Sequence, residues 1–178
     1  MKISVVLLRG INLGSHNKVA MPALRAVVEG LGCTDVTTYI QSGNVVLRSE
    51  KTVGALQKAV EKAVAKEFGI DVAVFVRTKP QLEKVVAANP FVKQRKEASK
   101  LHVVFLSAKP MADGVKRLTS GDWGGDQIAV VGSQAYLHCP NGYGRSKLGN
   151  AFVEKQLGVA GTTRNWRTTL KLLELAGT

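Results

Sequence analysis

The stretch Val36-Thr37-Thr38-Tyr39-Ile40-Gln41-Ser42-Gly43-Asn44-Val45-Val46-Leu47-Arg48 decides the fold. Its two arms are rich in β-branched and aromatic residues, which favour strands over residues 36–41 and 45–48. Ser42-Gly43-Asn44 between them is a tight-turn signature, so the arms are expected to pair as a hairpin. Upstream, residues 3–8 are apolar on both faces, as in a central strand covered by other layers. A long loop follows over residues 10–21, whereas connections in compact domains average only ~4–6 residues. Pro22 then suits a first helical turn. Leu24, Val27, Val28 and Leu31 recur at the spacing of one helix face. Downstream, Val53, Leu56, Val60, Val64 and Phe68 mark a second amphipathic helix over 53–68, and residues 72–77 close the set as a strand. The order β-α-β-β-α-β is the ferredoxin-like split pattern.

The second half repeats most of that order. Thr78 and Gln81 form a capping box for a helix that ends before Asn89-Pro90-Phe91. Residues 91–100 are polar and basic, as in a linker. A strand over 101–106, a short helix over 111–118, a hairpin of 127–131 with 134–138, and a helix over 146–157 follow. A last helix is expected over 163–176, so the closing strand would be lost or replaced by a helix. The fold class is therefore α+β, with two ferredoxin-like (split β-α-β) halves of mainly antiparallel sheet and helices on one face. The expected segments are an N-terminal half at 1–78, a helix and basic linker at 79–100, and a C-terminal half with an extra helix at 101–178.

The 178 residues carry 25 Lys and Arg against 13 Asp and Glu, a formal charge of +12. Residues 1–77 hold 10 cations and 6 carboxylates, and residues 78–178 hold 15 and 7. The excess leans toward the second half, through Lys93, Arg95, Lys96 and Lys100. No apolar run reaches the ~18–20 residues that span a bilayer, so no membrane partner is expected. Arg9 interrupts the apolar N-terminal run too early for a signal peptide, which makes a cytoplasmic, reduced protein the natural expectation. Cys33 and Cys139 form no Cys-x-x-Cys pair, so neither a zinc site nor another metal or cofactor is expected.

Four constellations are candidates for chemistry. In Arg9-Gly10-Ile11-Asn12-Leu13-Gly14 the glycines permit close backbone approach and Arg9 can meet an anion, although the dinucleotide spacing is absent. Ser42 and Asn44 flank Gly43, but no base near Ser42 supports a nucleophile. Gly142-Tyr143-Gly144-Arg145-Ser146-Lys147 resembles a glycine-bearing loop entering a helix, where Arg145, Lys147 and the helix N-terminus would favour an anion and Ser146 would serve as cap. Arg164 and Arg167, beside Trp166, suit phosphate and base stacking. The bland alternative makes Trp166 the start of a buried stripe with Leu170 and Leu173. Asp122 and Asp126 flank a glycine turn and are better read as turn formers than as magnesium ligands. His102 and His138 lie within apolar strands and lack a placed carboxylate partner.

The motifs Leu8-Arg9-Gly10-Ile11-Asn12-Leu13-Gly14 with Lys18 and Met21, Thr38-Tyr39-Ile40-Gln41-Ser42-Gly43-Asn44, Asn89-Pro90-Phe91 and Thr163-Arg164-Asn165-Trp166 resemble the bacterial domain-of-unknown-function family 1697. That resemblance implies an α+β protein of two ferredoxin-like halves and supplies no reaction. Three functions follow from the residues. The first is a protein that binds an anionic ligand, nucleic acid or another polyanion, through Lys93, Arg95, Lys96 and Lys100. The second is an enzyme or ligand-binding protein for a phosphorylated small molecule, with Arg9, Asn12, Ser42 and Asn44 facing Arg145, Lys147, Arg164 and Asn165 across an inter-half cleft. The third is a structural or interaction protein without a ligand. No catalytic residue is identifiable.

Overall fold

The computed structural model describes residues 1–178. They form two compact units, Met1–Glu83 with Leu172–Thr178, and Lys84–Lys171. The expected segments are cut differently: most of the residues between 79 and 100 cluster with the second unit, and the last seven with the first.

The first unit contains β1 (Lys2–Leu8), α1 (Met21–Glu29), β2 (Thr34–Tyr39), β3 (Asn44–Ser49), α2 (Val53–Phe68), β4 (Val74–Thr78) and the start of α3 (Lys79–Ala87). Its antiparallel sheet has the order β2-β3-β1-β4. The hairpin pairs Tyr39 with Asn44 and Thr38 with Val45. Asn44 therefore opens β3, and the connecting turn is Ile40-Gln41-Ser42-Gly43. One face of the sheet sets Val6, Leu8, Val45, Leu47, Val74 and Val76 against Leu24 and Val28 of α1 and Leu56, Val60 and Val64 of α2. The alternate residues Val5, Leu7, Val46 and Phe75 are also buried. That double burial is why β1 reads Val5-Val6-Leu7-Leu8 without a polar break. The Thr52 hydroxyl accepts from the Ala55 N–H to cap α2, and Gly69 ends it at φ 65°.

The second unit contains most of α3, then α4 (Pro90–Lys93), a 3-10 turn (Ala98–Lys100), β5 (Leu101–Leu106), α5 (Ala112–Ser120), β6 (Gln127–Val131), β7 (Gln134–His138), a 3-10 turn (Tyr143–Arg145), α6 (Asn150–Leu157), β8 (Gly161–Asn165) and most of α7 (Trp166–Gly177). The sheet order is β6-β7-β5-β8, again antiparallel throughout. Val104, Leu106, Ala135 and Leu137 pack with Leu118, Val153 and Leu157 on the helix side. Gly114 of α5 is buried, and a Cβ there would lie 2.5 Å from the Gln156 carbonyl oxygen, so only glycine admits this close approach of α5 to α6.

Several expectations for this unit are corrected. The closing strand is present as β8, and the last helix begins at Trp166 rather than near 163. Thr162 and Thr163 favour extended backbone, and the Asn165 side-chain oxygen accepts from the Thr168 N–H, which fixes the start of α7. The first half ends its sheet alike: Thr78 and Gln81 close a capping box at the start of α3. The helix expected from Ser146 begins only at Asn150, because Ser146 Oγ is engaged with Asp126 and with the Leu148 N–H. In α7 the buried positions are Trp166, Thr168, Thr169, Leu172 and Ala176, whereas Leu170 is exposed. No helix is long and apolar enough to cross a membrane.

Candidate functional site

Two of the four motifs meet at one end of the first sheet. Because β1 and β3 are antiparallel, the end of β1 lies beside the start of β3, with Leu7 opposite Asn44. The Leu8 N–H donates to the Gly43 carbonyl at 2.8 Å. Gly43 has φ 81°, and a Cβ there would lie 2.8 Å from Ile11 Cδ1 and 2.9 Å from Leu8 Cβ. Loop and turn are thus packed so closely that a side chain has no room.

Asn12 clamps the two together. Its Nδ2 donates to the Val19 carbonyl at 2.9 Å and to the Gln41 carbonyl at 2.7 Å, and its Oδ1 accepts from the Val19 N–H at 2.9 Å. Asn17 donates to the Gly10 carbonyl at 3.2 Å. Asn12, Asn17 and Ile40 have φ of 54°, 48° and 50°. For asparagine this is a tolerated conformation, but for a β-branched isoleucine it is strained. Ile40 is also 48 % exposed and Leu13 65 % exposed, beside buried Ile11 and Val19. Asn12, Lys18, Val19, Ala20 and Gln41 line a hollow of about 450 Å³ at this end.

The candidate residues of the first unit divide accordingly. Arg9 is half-buried at the end of β1, where its N–H donates to the Ala73 carbonyl. Asn12 is committed to loop structure. Asn44 is fully buried, and its Nδ2 donates to the Tyr39 carbonyl at 3.0 Å and to Ser42 Oγ at 2.8 Å, so it organises the turn instead of facing a ligand. Lys18 and Gln41 present the exposed polar groups. Both lie inside the motifs of the first loop and turn, but no local sequence signal marks them, because only the loop's folding decides which polar side chains point outward.

The second-unit candidates are dispersed. Arg145 and Lys147 are exposed, but Arg145 lies in a 3-10 turn and Lys147 at a bend. Neither stands at the helix N-terminus that the anion reading required. Asn165 caps α7. Arg164 is a strand residue, 7 % exposed, whose Nη1 donates to Thr162 Oγ1 at 2.7 Å and to the Thr163 carbonyl at 2.9 Å. Burial pushes its guanidinium down to about 10. It shares no helix face with Arg167. Arg77 holds the matching place in the first half: Val5 pairs with Arg77 as Val103 pairs with Arg164, and Arg77 Nη1 also donates to the preceding carbonyl, at 3.0 Å. Burial lowers its pKa as well. Each closing strand thus carries an arginine at the matching register position, half-buried in the first unit and buried in the second.

Lys93, Arg95 and Lys96 are exposed and Lys100 is half-buried. They are carried by a short anchored element. Asn89 Oδ1 accepts from the Phe91 N–H at 3.0 Å to cap α4, and Phe91 is buried, its ring 6.0 Å from that of His138. The Lys96 N–H donates to the Phe91 carbonyl at 3.0 Å and the Arg95 N–H to Val92 at 3.0 Å, which folds the basic chain back over its anchor. His138 is held below its ordinary pKa by burial first and by the Lys96 ammonium second, against a smaller opposing effect of Asp126. Glu97, the sole carboxylate between residues 89 and 100, accepts from the Ser99 hydroxyl.

Other polar residues in the second unit form an internal network that sequence spacing did not reveal. Thr163 Oγ1 donates to Asn150 Oδ1 at 2.8 Å, Asn150 donates to Glu154 and to the Gly161 carbonyl, and Ser146 Oγ donates to Asp126 at 2.6 Å. His102 stacks on Tyr143 with ring centroids 4.6 Å apart, and burial lowers its pKa. Asp122 accepts from the Gly124 N–H as a turn former.

The chain is similar in fold to a conserved bacterial protein from Streptococcus pneumoniae of solved structure, at a TM-score of 0.79 and 20 % identity, with 98 % of each chain covered. No curated protein matches it. Residues 1–136 match the protein of unknown function DUF1697, which takes in both N-terminal motifs and the Asn89-Pro90-Phe91 anchor, and the chain belongs to that family.

Proposed function

We propose that this protein binds an anionic ligand, a nucleic acid or another polyanion, through the basic segment at Lys93, Arg95, Lys96 and Lys100. The observation that carries the reading is the exposure of the first three cations on a segment pinned by Asn89 and Phe91. Even if each of the 13 carboxylates neutralised one cation, 12 of the 25 Lys and Arg would keep their charge. Phosphate backbones recruit such unneutralised cations by releasing condensed counterions, without reading sequence. Anchoring reduces the ordering cost of contact, because the segment is already folded. The site of action is proposed to be the cytoplasm, where the buried free thiols Cys33 and Cys139 stay reduced. Fluorescence anisotropy with labelled single-stranded and duplex oligonucleotides at low salt tests the reading. Replacing Lys93, Arg95 and Lys96 together with Ala should weaken both equally. Undetectable binding by the parent protein at low salt would remove the reading.

A second reading is favoured by the hollow beside Asn12. A phosphorylated small molecule there would meet Lys18 and the Gln41 amide, on a loop already held rigid by the Asn12 clamp. Mass spectrometry of molecules co-purifying with the native protein distinguishes the two: a bound small phosphorylated compound favours the hollow, and salt-released nucleic acid favours the basic segment.

A further inference from the structure

The strand β6 is an edge of the second sheet. Its sequence, Gln127-Ile128-Ala129-Val130-Val131, contains no charge and no proline, and its register with β7 is unbroken from Gln127 opposite His138 to Val131 opposite Gln134. Edge strands are usually blunted by charge, proline or a bulge. The first sheet shows such a device: β2 is an edge whose register shifts between Thr34 and Thr37, with Asp35 at φ 50° and paired to Arg48 at 2.9 Å. β6 has none.

The two-residue Gly132-Ser133 turn fixes which backbone groups of β6 are committed. In such a hairpin the closing pair exchanges both hydrogen bonds, and alternate pairs follow suit. Val131, Ala129 and Gln127 therefore turn their backbone groups to β7. Ile128 and Val130 turn theirs to the open side. The Val130 side chain, together with Pro110, Ala112 and Val115, lines a mostly apolar hollow of about 460 Å³ next to that edge. The charged residues lining it are Lys109 and Lys116, both exposed.

From these features we propose that β6 is a docking edge for an extended acidic peptide segment, which adds a strand through Ile128 and Val130, inserts an apolar side chain beside Val130, and sets carboxylates against Lys109 and Lys116. Main-chain pairing supplies affinity in this mode and the pocket supplies selection. Charge complementarity decides the occupant. A second copy of this chain would bring another +12 surface and an uncharged β6 of its own, with no carboxylate for the lysines.

The test uses the full chain and a fluorescein-labelled heptapeptide of alternating Val and Glu. Binding is read by anisotropy, and the site by amide hydrogen exchange of Ile128 and Val130. The peptide should bind and slow exchange at both amides. Val130→Pro removes an outward N–H without taking a ladder bond, and should weaken binding about tenfold or more. The double variant Lys109→Glu with Lys116→Glu, which leaves the backbone unaltered, should lose the acidic peptide and gain one of alternating Val and Lys. The proposal is overturned if the Val/Lys peptide binds the parent protein equally well, or if the acidic peptide fails to bind at millimolar concentration. It is also overturned if bound peptide leaves the β6 amides unprotected, or if an oligonucleotide competes for that edge. Protection of those amides in the free protein, with a dimer in sedimentation, would identify a second copy as the occupant and overturn it too.

Discussion

Replacing Gly43 with alanine should cost far more than a methyl group normally does. Two separate penalties act at this position. Its φ of 81° lies in the left-handed region, which costs a non-glycine residue roughly 1–2 kcal/mol. The added Cβ would meet Ile11 Cδ1 at 2.8 Å and Leu8 Cβ at 2.9 Å, and overpacking of that kind costs roughly 1–3 kcal/mol. Ile11 Cδ1 can swing aside, but Leu8 Cβ is fixed to a central strand. The sum is about 2–5 kcal/mol, a large share of the ~5–15 kcal/mol by which a domain is stable. Gly10 supplies the control, because its φ of 67° carries the same conformational cost while a Cβ there has nothing within 4 Å. Urea denaturation followed by far-UV circular dichroism gives the loss of stability, and hydrogen exchange on the β1–β3 ladder assigns it to the first unit. Gly43→Ala should be destabilised beyond Gly10→Ala by about 1–3 kcal/mol. Equal losses in the two variants would refute the close packing of loop against turn.

Further outcomes follow from the second unit. Gly114→Ala places a Cβ 2.5 Å from a backbone oxygen of α6, so it should cost roughly 1–3 kcal/mol and lower Tm, a change that differential scanning calorimetry detects. His102 has its folded-state pKa lowered from 6.5 by burial, so the unfolded chain binds more protons in that window. Stability should therefore be complete above pH 6.5 and fall as pH drops from there through the lower folded pKa. NMR titration should place the His102 midpoint below 6.5, and His102→Phe should flatten the acid limb of the stability curve.

The sequence made the sheets legible where local chemistry and tertiary packing agree. The Ser42-Gly43-Asn44 signature located the first hairpin, and the period of Leu56, Val60 and Val64 located the buried side of α2. It misled where a side chain has two uses. Ser146 looks like a helix cap, yet it donates to Asp126, twenty residues away in the chain, and no local pattern announces that partner. Asn165, placed inside the expected helix, is the cap that starts it. A helix expected from 163 absorbs β8 and turns Arg164 from a strand residue into a helix residue. The motifs of the first loop and turn are recognisable in the sequence, but the fold consumes part of their hydrogen-bonding capacity. Asn12 and Asn44, chosen for their hydrogen-bonding capacity, spend it on backbone carbonyls and on Ser42, while Lys18 and Gln41 stay exposed. Hydrogen-bonding capacity is visible in a sequence; whether the fold consumes it is decided by which backbone groups a turn leaves unpaired.

The most direct test of polyanion binding is the salt dependence of oligonucleotide affinity, measured for the parent protein and for the combined Lys93→Ala, Arg95→Ala and Lys96→Ala variant. Each phosphate contact contributes a slope of about −0.9 in log affinity against log salt on duplex DNA. If all three cations meet phosphates, the variant should bind more weakly with a slope shallower by about 2–3. A slope unchanged by the substitutions would contradict the assignment of the polyanion site to this segment.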